Sequence, residues 1–373
     1  MTSPTPSFTQ VHSSLVINPT STACPKIPAP SGKIASAWWP DYHNSNVTWD
    51  KYNHLMYSFA IPSLNGSVTL PTLGWIPGVT NKFMDAAHNQ NPPIPVSVTV
   101  GGWTGSGNFS NILASADLRS TFISELSNLV NTYCFDGLDF DWEYPAGNGS
   151  GLATNAWSLN DTGNFLTFFQ ELRANPATSN LILTAATPIH PWNNATIQPL
   201  TNVTEFAEVL DWIQIMNYDH QLGSGVSAVA KWTAAGMPAN KIVLGVGAYG
   251  HSYGYNQSIF TPYANSTSKS HGDKWADPTG DTRDFFSLID GGFLTESGKP
   301  MDGIQYVFDN CSQTAYVYDK TTQVVVSFDD AHAFEAKGQF IADRELRGFA
   351  IWEAGSDNSD MLLDAIRKTS MGN

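Results

Sequence analysis

Carboxylates recur at short intervals between Phe135 and Pro145, a stretch that reads Phe-Asp-Gly-Leu-Asp-Phe-Asp-Trp-Glu-Tyr-Pro. Because side chains alternate faces along a β-strand, Asp139, Asp141 and Glu143 point to one face and three large apolar residues to the other. A surface strand with solvated acids would alternate in a similar way, yet stacked carboxylates are costly without a use. The pattern therefore predicts a strand that packs its apolar face on helices and lines a polar interior with its acids.

These acids have the spacing needed for proton transfer. Neighbouring Cα atoms on one strand face are roughly 6–7 Å apart, so the carboxyl groups cannot all ionise freely and some pKa values rise. The outermost acid, Glu143, is predicted to keep its proton at working pH and to act as a general acid. The strand ends at Tyr144-Pro145 because proline removes a ladder donor, which leaves Glu143 at its carboxyl-terminal edge.

The elements that must position these acids are read from apolar runs that alternate with helical patterns. Eight strands are predicted, at 33–38, 54–60, 94–100, 135–141, 181–186, 209–216, 241–247 and 347–352. Predicted helices cover 80–87, 117–133, 163–173, 224–235, 329–341 and 360–368. Eight strands separated by helices in one chain of 373 residues favour an α/β fold, a (β/α)8 TIM barrel, over a doubly wound sheet.

The chain is predicted to contain a tail, a barrel and an insertion. Residues 1–31 are rich in Ser, Thr and Pro and read as an N-terminal tail. The barrel is assigned to residues 32–251 and 329–373. The intervening residues 252–328 are far longer than a crossover needs and are predicted to form an inserted α+β subdomain with strands at 314–318 and 323–327.

Composition limits the possible partners. The net charge is −15, no Lys- or Arg-rich run occurs, and no stretch has the length of a membrane span, which argues against nucleic acid and membranes. The nine histidines show no metal-ligand spacing, so neither a metal nor another cofactor is expected. We expect a monomer. Ten glycosylation sequons favour a secreted, extracellular glycoprotein, with the cell wall as an alternative; they lie at Asn46, Asn65, Asn108, Asn148, Asn160, Asn194, Asn202, Asn256, Asn265 and Asn310.

The three cysteines leave their pairing open. Cys134 next to the acidic strand is predicted to be a buried free thiol, whereas a bridge between Cys24 and Cys311 is as plausible as its absence.

Aromatic rings and acids cluster at the carboxyl-terminal ends of the predicted strands, where the active sites of such barrels lie. A carbohydrate cleft needs rings against apolar sugar faces with acids between them. Two acids adjacent on one strand cannot flank a glycosidic bond, so either a third carboxylate or the substrate must supply the nucleophile. An N-acetyl group at C2 of the sugar could attack its own anomeric carbon, with Asp141 orienting this acetamide and Tyr218 bonding its carbonyl oxygen.

At these residues the chain resembles a secreted, fungal-type chitinase of glycoside hydrolase family 18. Asp136, Asp139, Asp141 and Glu143 match the family's Asp-x-x-Asp-x-Asp-x-Glu signature. Three further motifs match in the right order; they are Thr99-Val100-Gly101-Gly102 followed by Trp103, then Met216-Asn217-Tyr218-Asp219, and then Trp352. The similarity runs from about Gly32 to the C-terminus. The inserted subdomain resembles that of deep-cleft members.

The resemblance implies a role for each matched residue. Glu143 is the proton donor, Asp141 assists the acetamide, Asp139 tunes Asp141 and Tyr218 holds the acetamide. Trp352 stacks under the sugar at the cleavage point, and Trp103 serves the sugar just beyond the cleaved bond. Tyr249-Gly250-His251 departs from the family's Tyr-Gly-Arg, which removes the expected guanidinium contact but keeps Tyr249. The predicted substrate-binding residues are Trp38, Gly102, Trp103, Tyr144, Met216, Asp219, Tyr249 and Trp352.

Four rival interpretations remain beside hydrolysis of chitin. A non-catalytic lectin for chitin or N-acetylglucosamine could use the same barrel, and a related enzyme could cleave the chitobiose core of N-glycans. Gly250-His-Ser-Tyr-Gly254 fits the nucleophile elbow of a serine esterase at Ser252, but the required strand-to-helix context is absent. Gly245–Gly250 fits a dinucleotide pattern that lacks its following helix.

Overall fold

The structure, a computed structural model, describes residue 24 and residues 26–43, 45–71, 78–218, 224–254 and 282–372. Its strands are β1 (Ile34–Pro40), β2 (His54–Pro62), β3 (Val68–Thr69), β4 (Val96–Gly101), β5 (Gly137–Asp141), β6 (Ile182–Thr187), β7 (Trp212–Met216), β8 (Ile242–Gly247), β9 (Tyr249–Gly254), β10 (Thr282–Asp284), β11 (Ile304–Asp309), β12 (Thr314–Asp319), β13 (Val324–Phe328) and β14 (Gly348–Trp352). Its α-helices are α1 (Val79–His88), α2 (Phe109–Leu113), α3 (Ala116–Tyr133), α4 (Asp161–Ala174), α5 (Thr204–Val209), α6 (Ser224–Ala234), α7 (Phe285–Asp290), α8 (Ala331–Asp343) and α9 (Met361–Ser370).

Eight parallel strands close into a barrel, which confirms the predicted (β/α)8 fold. Around the barrel the order is β1, β14, β8, β7, β6, β5, β4 and β2, and β2 pairs with β1 to close it. All eight strands were predicted from the sequence. None of the described helices is both long and apolar enough to cross a membrane.

The alternation of side chains along the strands separates two apolar clusters. Phe140 on β5 faces outward and lies edge-on to Phe165, Phe168 and Phe169 of α4, with ring centroids 5.2 to 6.3 Å away. The inner cluster lies inside the barrel and includes Trp38, Met56, Trp212 and Met216. On β1 the two consecutive tryptophans therefore divide, because Trp38 joins the inner cluster and Trp39 the outer one.

A second sheet follows the seventh barrel strand. It has five antiparallel strands in the order β10, β9, β13, β12 and β11. The sheet begins at Tyr249, three residues before the predicted boundary at 252. Its two sequence-predicted strands correspond to β12 and β13. The segment between β9 and β10, residues 255–281, lies outside the described residues.

The described end of the predicted tail packs on the amino-terminal end of the barrel. Lys26 donates from Nζ to the carbonyl oxygens of Val130 and Phe135, at 3.3 and 2.6 Å. The backbone N–H of Ile27 donates to Asp136 Oδ1 at 2.7 Å. Residues 26–31 therefore belong to the folded body rather than to a detached tail.

The prediction that Cys134 is a free thiol is wrong, and the possible bridge between Cys24 and Cys311 is not formed. Cys24 is bonded to Cys134, with their Cα atoms 5.3 Å apart, so Cys134 is not a free thiol. Cys134 follows the last residue of α3 in a left-handed conformation, φ 63°, beside the folded tail. Cys311 is a free, exposed thiol in the turn between β11 and β12. The fold brings Cys24 to the helix end, a proximity that spacing in the sequence does not reveal.

Candidate active site

Asp139 lies at the centre of the barrel, fully buried, and accepts three hydrogen bonds. Trp38 Nε1 and Thr99 Oγ1 donate to its Oδ2 at 3.1 and 2.9 Å, and Thr184 Oγ1 donates to its Oδ1 at 2.6 Å. Burial raises the pKa of Asp139, and these donors oppose the rise because they favour the ionised carboxylate. Side chains from β1, β4 and β6 thus hold this acid in one orientation.

Asp141 is buried one pleat further along β5, and its surroundings differ. Its Oδ1 has no hydrogen-bond partner among the described residues. Burial raises its pKa well above the ordinary carboxyl value, and the neighbouring charges of Glu143 and Asp139 raise it further. A buried carboxylate oxygen without a donor is unusual in a folded protein. The arrangement leaves one acceptor for a donor that the described part of the protein does not supply.

Glu143 follows the end of β5 and is largely buried. Two polar side chains hold its backbone. Ser106 Oγ accepts from the N–H of Glu143 at 2.9 Å, and Asn155 Nδ2 donates to its carbonyl oxygen at 3.1 Å. The Ser106 hydroxyl can in turn donate to the carbonyl oxygens of Gly102 and Asp141, at 2.8 and 3.1 Å. The backbone around the two outer acids is therefore fixed from both sides.

The glycine pair at the end of β4 allows this strand to approach β5 closely. Gly101 and Gly102 have φ values of 107° and 81°, a region that residues with a side chain rarely adopt. A Cβ on Gly101 would lie 2.3 Å from the Asp141 carbonyl oxygen, and one on Gly102 would lie 2.8 Å from the Phe59 ring. The N–H of Gly102 donates to that same Asp141 oxygen at 2.8 Å. Gly102 thus shapes the wall beside the acids.

Aromatic residues from four strand ends surround the acids. Trp38 and Met216 belong to the inner cluster, and Tyr144, Tyr218 and Trp352 pack against it. The rings of Trp38 and Trp352 have centroids 6.1 Å apart. The barrel therefore brings five of the predicted site residues into one apolar lining.

The remaining predicted site residues differ in position. The ring of Tyr249 lies edge-on to that of Tyr218, with centroids 6.0 Å apart. Trp103 stands at the rim of the barrel and is 49% exposed. Asp219 lies outside the described residues.

Sequence reasoning missed polar residues that support the site. Ser106 bonds the backbone of Asp141 and Glu143, and Thr184 bonds the Asp139 carboxylate. A single serine or threonine carries no signal of such a role in one sequence. Glu353 follows Trp352 and is buried, with Oε1 2.6 Å from His43 Nδ1. Burial raises the pKa of Glu353, and the hydrogen bond with His43 opposes that rise. Its position at a strand end could have suggested this pair.

The nucleophile-elbow motif and the dinucleotide motif do not lie in the structural elements that those functions require. Ser252 is buried inside β9, where it pairs with Val326 of β13, so it does not occupy a strand-to-helix turn. Gly245 and Gly247 lie in barrel strand β8, and Gly250 lies in β9. Among the described residues, no three His, Cys, Asp or Glu side chains are grouped to hold a metal ion.

The sequence model of the family described as "Glycosyl hydrolases family 18" matches residues 36–357, and the chain belongs to this family.

Relatives of the chain are named as chitinases and as chitinase-like proteins. A "chitinase-like effector" of Moniliophthora perniciosa is 41% identical over 373 residues, which cover 88% of this chain and 83% of the relative. A solved chitinase of Rhizomucor miehei superposes with a TM-score of 0.81 at 30% identity, over 90% of this chain and 100% of its own. A class V chitinase of Nicotiana tobaccum, a mutant form in complex with NAG4, shares the fold with a TM-score of 0.76 at 21% identity, over 91% of this chain and 99% of its own.

Proposed function

We propose that the protein is a chitinase that hydrolyses β-1,4 bonds between N-acetylglucosamine units with retention of configuration, the substrate's own acetamide acting as nucleophile. The observation that carries this proposal is the Asp141 carboxylate, which is buried and has an oxygen without a donor among the described residues. An acetamide N–H is a donor of the kind that this oxygen lacks. Asp141 is the last residue of β5 and Glu143 follows two positions later, which places the acetamide-orienting group near the proton donor in the chain.

The proposed reaction proceeds in two steps. Glu143 gives its proton to the leaving glycosidic oxygen while the acetamide carbonyl oxygen bonds to C1, and the C1–O bond to the leaving sugar breaks. Asp141 accepts from the acetamide N–H and stabilises the positive charge of the resulting oxazolinium ring, with Tyr218 as hydrogen-bond donor to the acetamide oxygen. Glu143 then removes a proton from water, which opens the ring at C1 from the face that the leaving group occupied. The product therefore keeps its anomeric configuration.

Asp139 and the tryptophans have supporting roles in this proposal. Three donors hold the Asp139 side chain, so its carboxyl group stays next to Asp141, where it can carry a negative charge or share a proton. Trp38 both donates to Asp139 and packs near Trp352, which forms the floor under the reacting sugar. Because large rings bury much apolar area, they favour the apolar face of a sugar over water.

Replacing Glu143 by Gln tests the proposal. Loss of a general acid lowers kcat by about 10²- to 10⁴-fold, and chitin hexamer should still bind. Glu208→Gln, an exposed residue of α5, is the matched control and should hydrolyse the hexamer at the wild-type rate. An inverted first product, followed by NMR, would contradict the mechanism.

A second candidate function is binding of chitin fragments without cleavage. The name of the 41%-identical relative, "chitinase-like effector", favours it. If wild type and Glu143→Gln bind the hexamer equally and neither releases products, the lectin interpretation replaces the enzymatic one. The presence of Glu143, Asp141 and Tyr218 together supports the enzyme.

We also propose that the protein is a secreted, monomeric glycoprotein that acts on chitin outside the cell. The Cys24–Cys134 bridge supports an oxidising compartment. Of the sequon asparagines, those at 46, 65, 148, 160, 202 and 310 are exposed and could accept a glycan. A drop in apparent mass after endoglycosidase treatment of the natively expressed protein would support this, and an unglycosylated protein recovered only inside cells would contradict it.

A further inference from the structure

Two tryptophans stand out by their exposure. Trp103 and Trp157 are 49% and 44% exposed, whereas the other described tryptophans are buried or half-buried. Trp103 is a predicted substrate contact, and Trp157 has no role in the mechanism above. A single exposed aromatic residue is common on protein surfaces and does not by itself indicate a binding site. The loop of Trp157, however, is fixed by hydrogen bonds on several sides.

The loop that carries Trp157 is closed at its two ends by one buried acid. Asp161, the first residue of α4, accepts through Oδ2 from the N–H groups of Ala146 and Ser158, at 3.3 and 2.7 Å. Its Oδ1 accepts from Ser110 Oγ at 2.7 Å. A loop pinned in this way at both ends loses less conformational entropy when it binds a ligand.

The same loop is hydrogen-bonded to the backbone of Glu143 and to the loop that carries Trp103. Asn155 Nδ2 donates to the carbonyl oxygen of Glu143 at 3.1 Å, and the next residue, Ala156, donates from its N–H to the carbonyl oxygen of Gly107 at 3.2 Å. Gly151 has a φ of 86°, and a Cβ there would lie 2.4 Å from the Glu143 carbonyl oxygen. Trp157 comes directly after these contacts, which join the loops that follow two adjacent barrel strands, β4 and β5.

We infer that Trp157 is a further sugar-binding residue, a stacking platform that extends the cleft beyond Trp103 and selects for longer chains of β-1,4-linked N-acetylglucosamine. The inference rests on the proposed function. An exposed indole offers a flat apolar face, and its loop is fixed to the backbone of the proton donor rather than to the outer helices alone. Because Ala156 N–H bonds the loop of Trp157 to Gly107 in the loop of Trp103, the occupant that we infer is the same polysaccharide and not a second ligand.

Binding of oligosaccharides of increasing length tests this inference. Glu143→Gln serves as the parent, because it is expected not to cleave during titration, and Trp157→Ala is introduced into it. Calorimetry with the dimer to the hexamer of N-acetylglucosamine should show a loss of about 3- to 10-fold in affinity for the longest chains, the range expected of one aromatic stack. The dimer, which fills only the central positions, should bind within about twofold of the parent.

Two further variants separate stacking from loop structure. Leu159→Ala changes another apolar residue of the same loop, also 44% exposed, and should leave every affinity unchanged. Trp157→Tyr keeps a ring and should recover most of the lost affinity. An equal loss for all chain lengths, or a similar loss in Leu159→Ala, overturns the inference. If the parent binds none of the oligosaccharides, the proposed function fails and this inference fails with it.

Discussion

Two buried aspartates at opposite ends of one strand show how differently the two ends of the barrel are built. Asp136, just before β5, accepts from Ile27 N–H, Val96 N–H and His88 Nε2, at 2.7, 2.8 and 2.9 Å. Asp141, the last residue of β5, has an oxygen without any donor among the described residues. Buried polar groups are ordinarily satisfied, and exceptions concentrate at functional sites. The amino-terminal end is therefore built for stability and the carboxyl-terminal end for binding.

The largest expected effect on stability comes from Asp136. Asp136→Ala removes the common acceptor of the folded tail, β4 and α1, and leaves buried donors without partners. The free energy of unfolding should fall by about 3–5 kcal/mol, the range found when one partner of a buried charged pair is removed. Urea unfolding followed by fluorescence measures it.

The control for this variant is Asp85→Ala, an exposed residue of α1, which should change the unfolding free energy little. At a temperature where Asp136→Ala stays folded, kcat should remain within about twofold of wild type, because a well-separated site contributes independently. A folded Asp136→Ala protein with greatly reduced kcat would show that the two ends of the strand are coupled. It would contradict the separation of stability and binding between them.

The disulfide is the second contributor at the amino-terminal end. It links residues 110 positions apart, so it restricts a long loop of the unfolded chain. Cys24→Ser combined with Cys134→Ser should lower the free energy of unfolding by about 2–4 kcal/mol. Thermal unfolding without reductant measures the effect, and dithiothreitol added to wild type should reproduce it.

Cys311→Ser is the matched control for the disulfide, because Cys311 is an exposed free thiol. It should unfold like wild type. If Cys311→Ser is as unstable as the double variant, the pairing of Cys24 with Cys134 is not the form that stabilises the protein.

The two ends also differ in how far they could be predicted from the sequence. On β5 the period of two separates Asp139 and Asp141 from Phe140, and this local pattern indicated both the strand and its faces. The bridge to Cys24 depends on where the chain returns after 110 residues, which no local pattern encodes. The same holds for Asp136, whose three donors come from three separate segments.

At the carboxyl-terminal end, motifs predicted the acids but not their support. The spacing of the acids predicts that some of their pKa values rise, and the structure adds that one oxygen of Asp141 lacks a donor among the described residues. The Ser106 hydroxyl contacts the backbone of both outer acids, yet it lies 35 residues before Asp141 in the chain. Such a residue becomes visible only when β4 and β5 are placed side by side.

The smallest expected effect on stability concerns Asp141, and it is a gain, whereas the first two variants lose stability. Asp141→Asn should remove activity, and it should raise the melting temperature at pH 7 by roughly 1 °C or more, which corresponds to about 1 kcal/mol in a chain of this size. The reason is that a carboxylate with a raised pKa in the folded state opposes folding once it must ionise. Asparagine carries no charge and brings a donor of its own.

The pH dependence gives this last prediction its sign. The pKa of Asp141 in the folded protein lies well above its ordinary value of 3.8, so the folded state holds its proton longer than the unfolded state. Wild type is therefore free of this penalty below pH 3.8, acquires it as the pH rises, and bears it fully above the folded-state pKa. The stability gained by Asp141→Asn in thermal melts should therefore grow as the pH rises above about 4 and should level off above the folded-state pKa of Asp141. A gain in stability that does not depend on pH would mean that ionisation of Asp141 carries no penalty. A loss of stability at neutral pH would mean that the Asp141 carboxylate is stabilised in the folded state. In either case the contrast between the two ends of β5 would not hold.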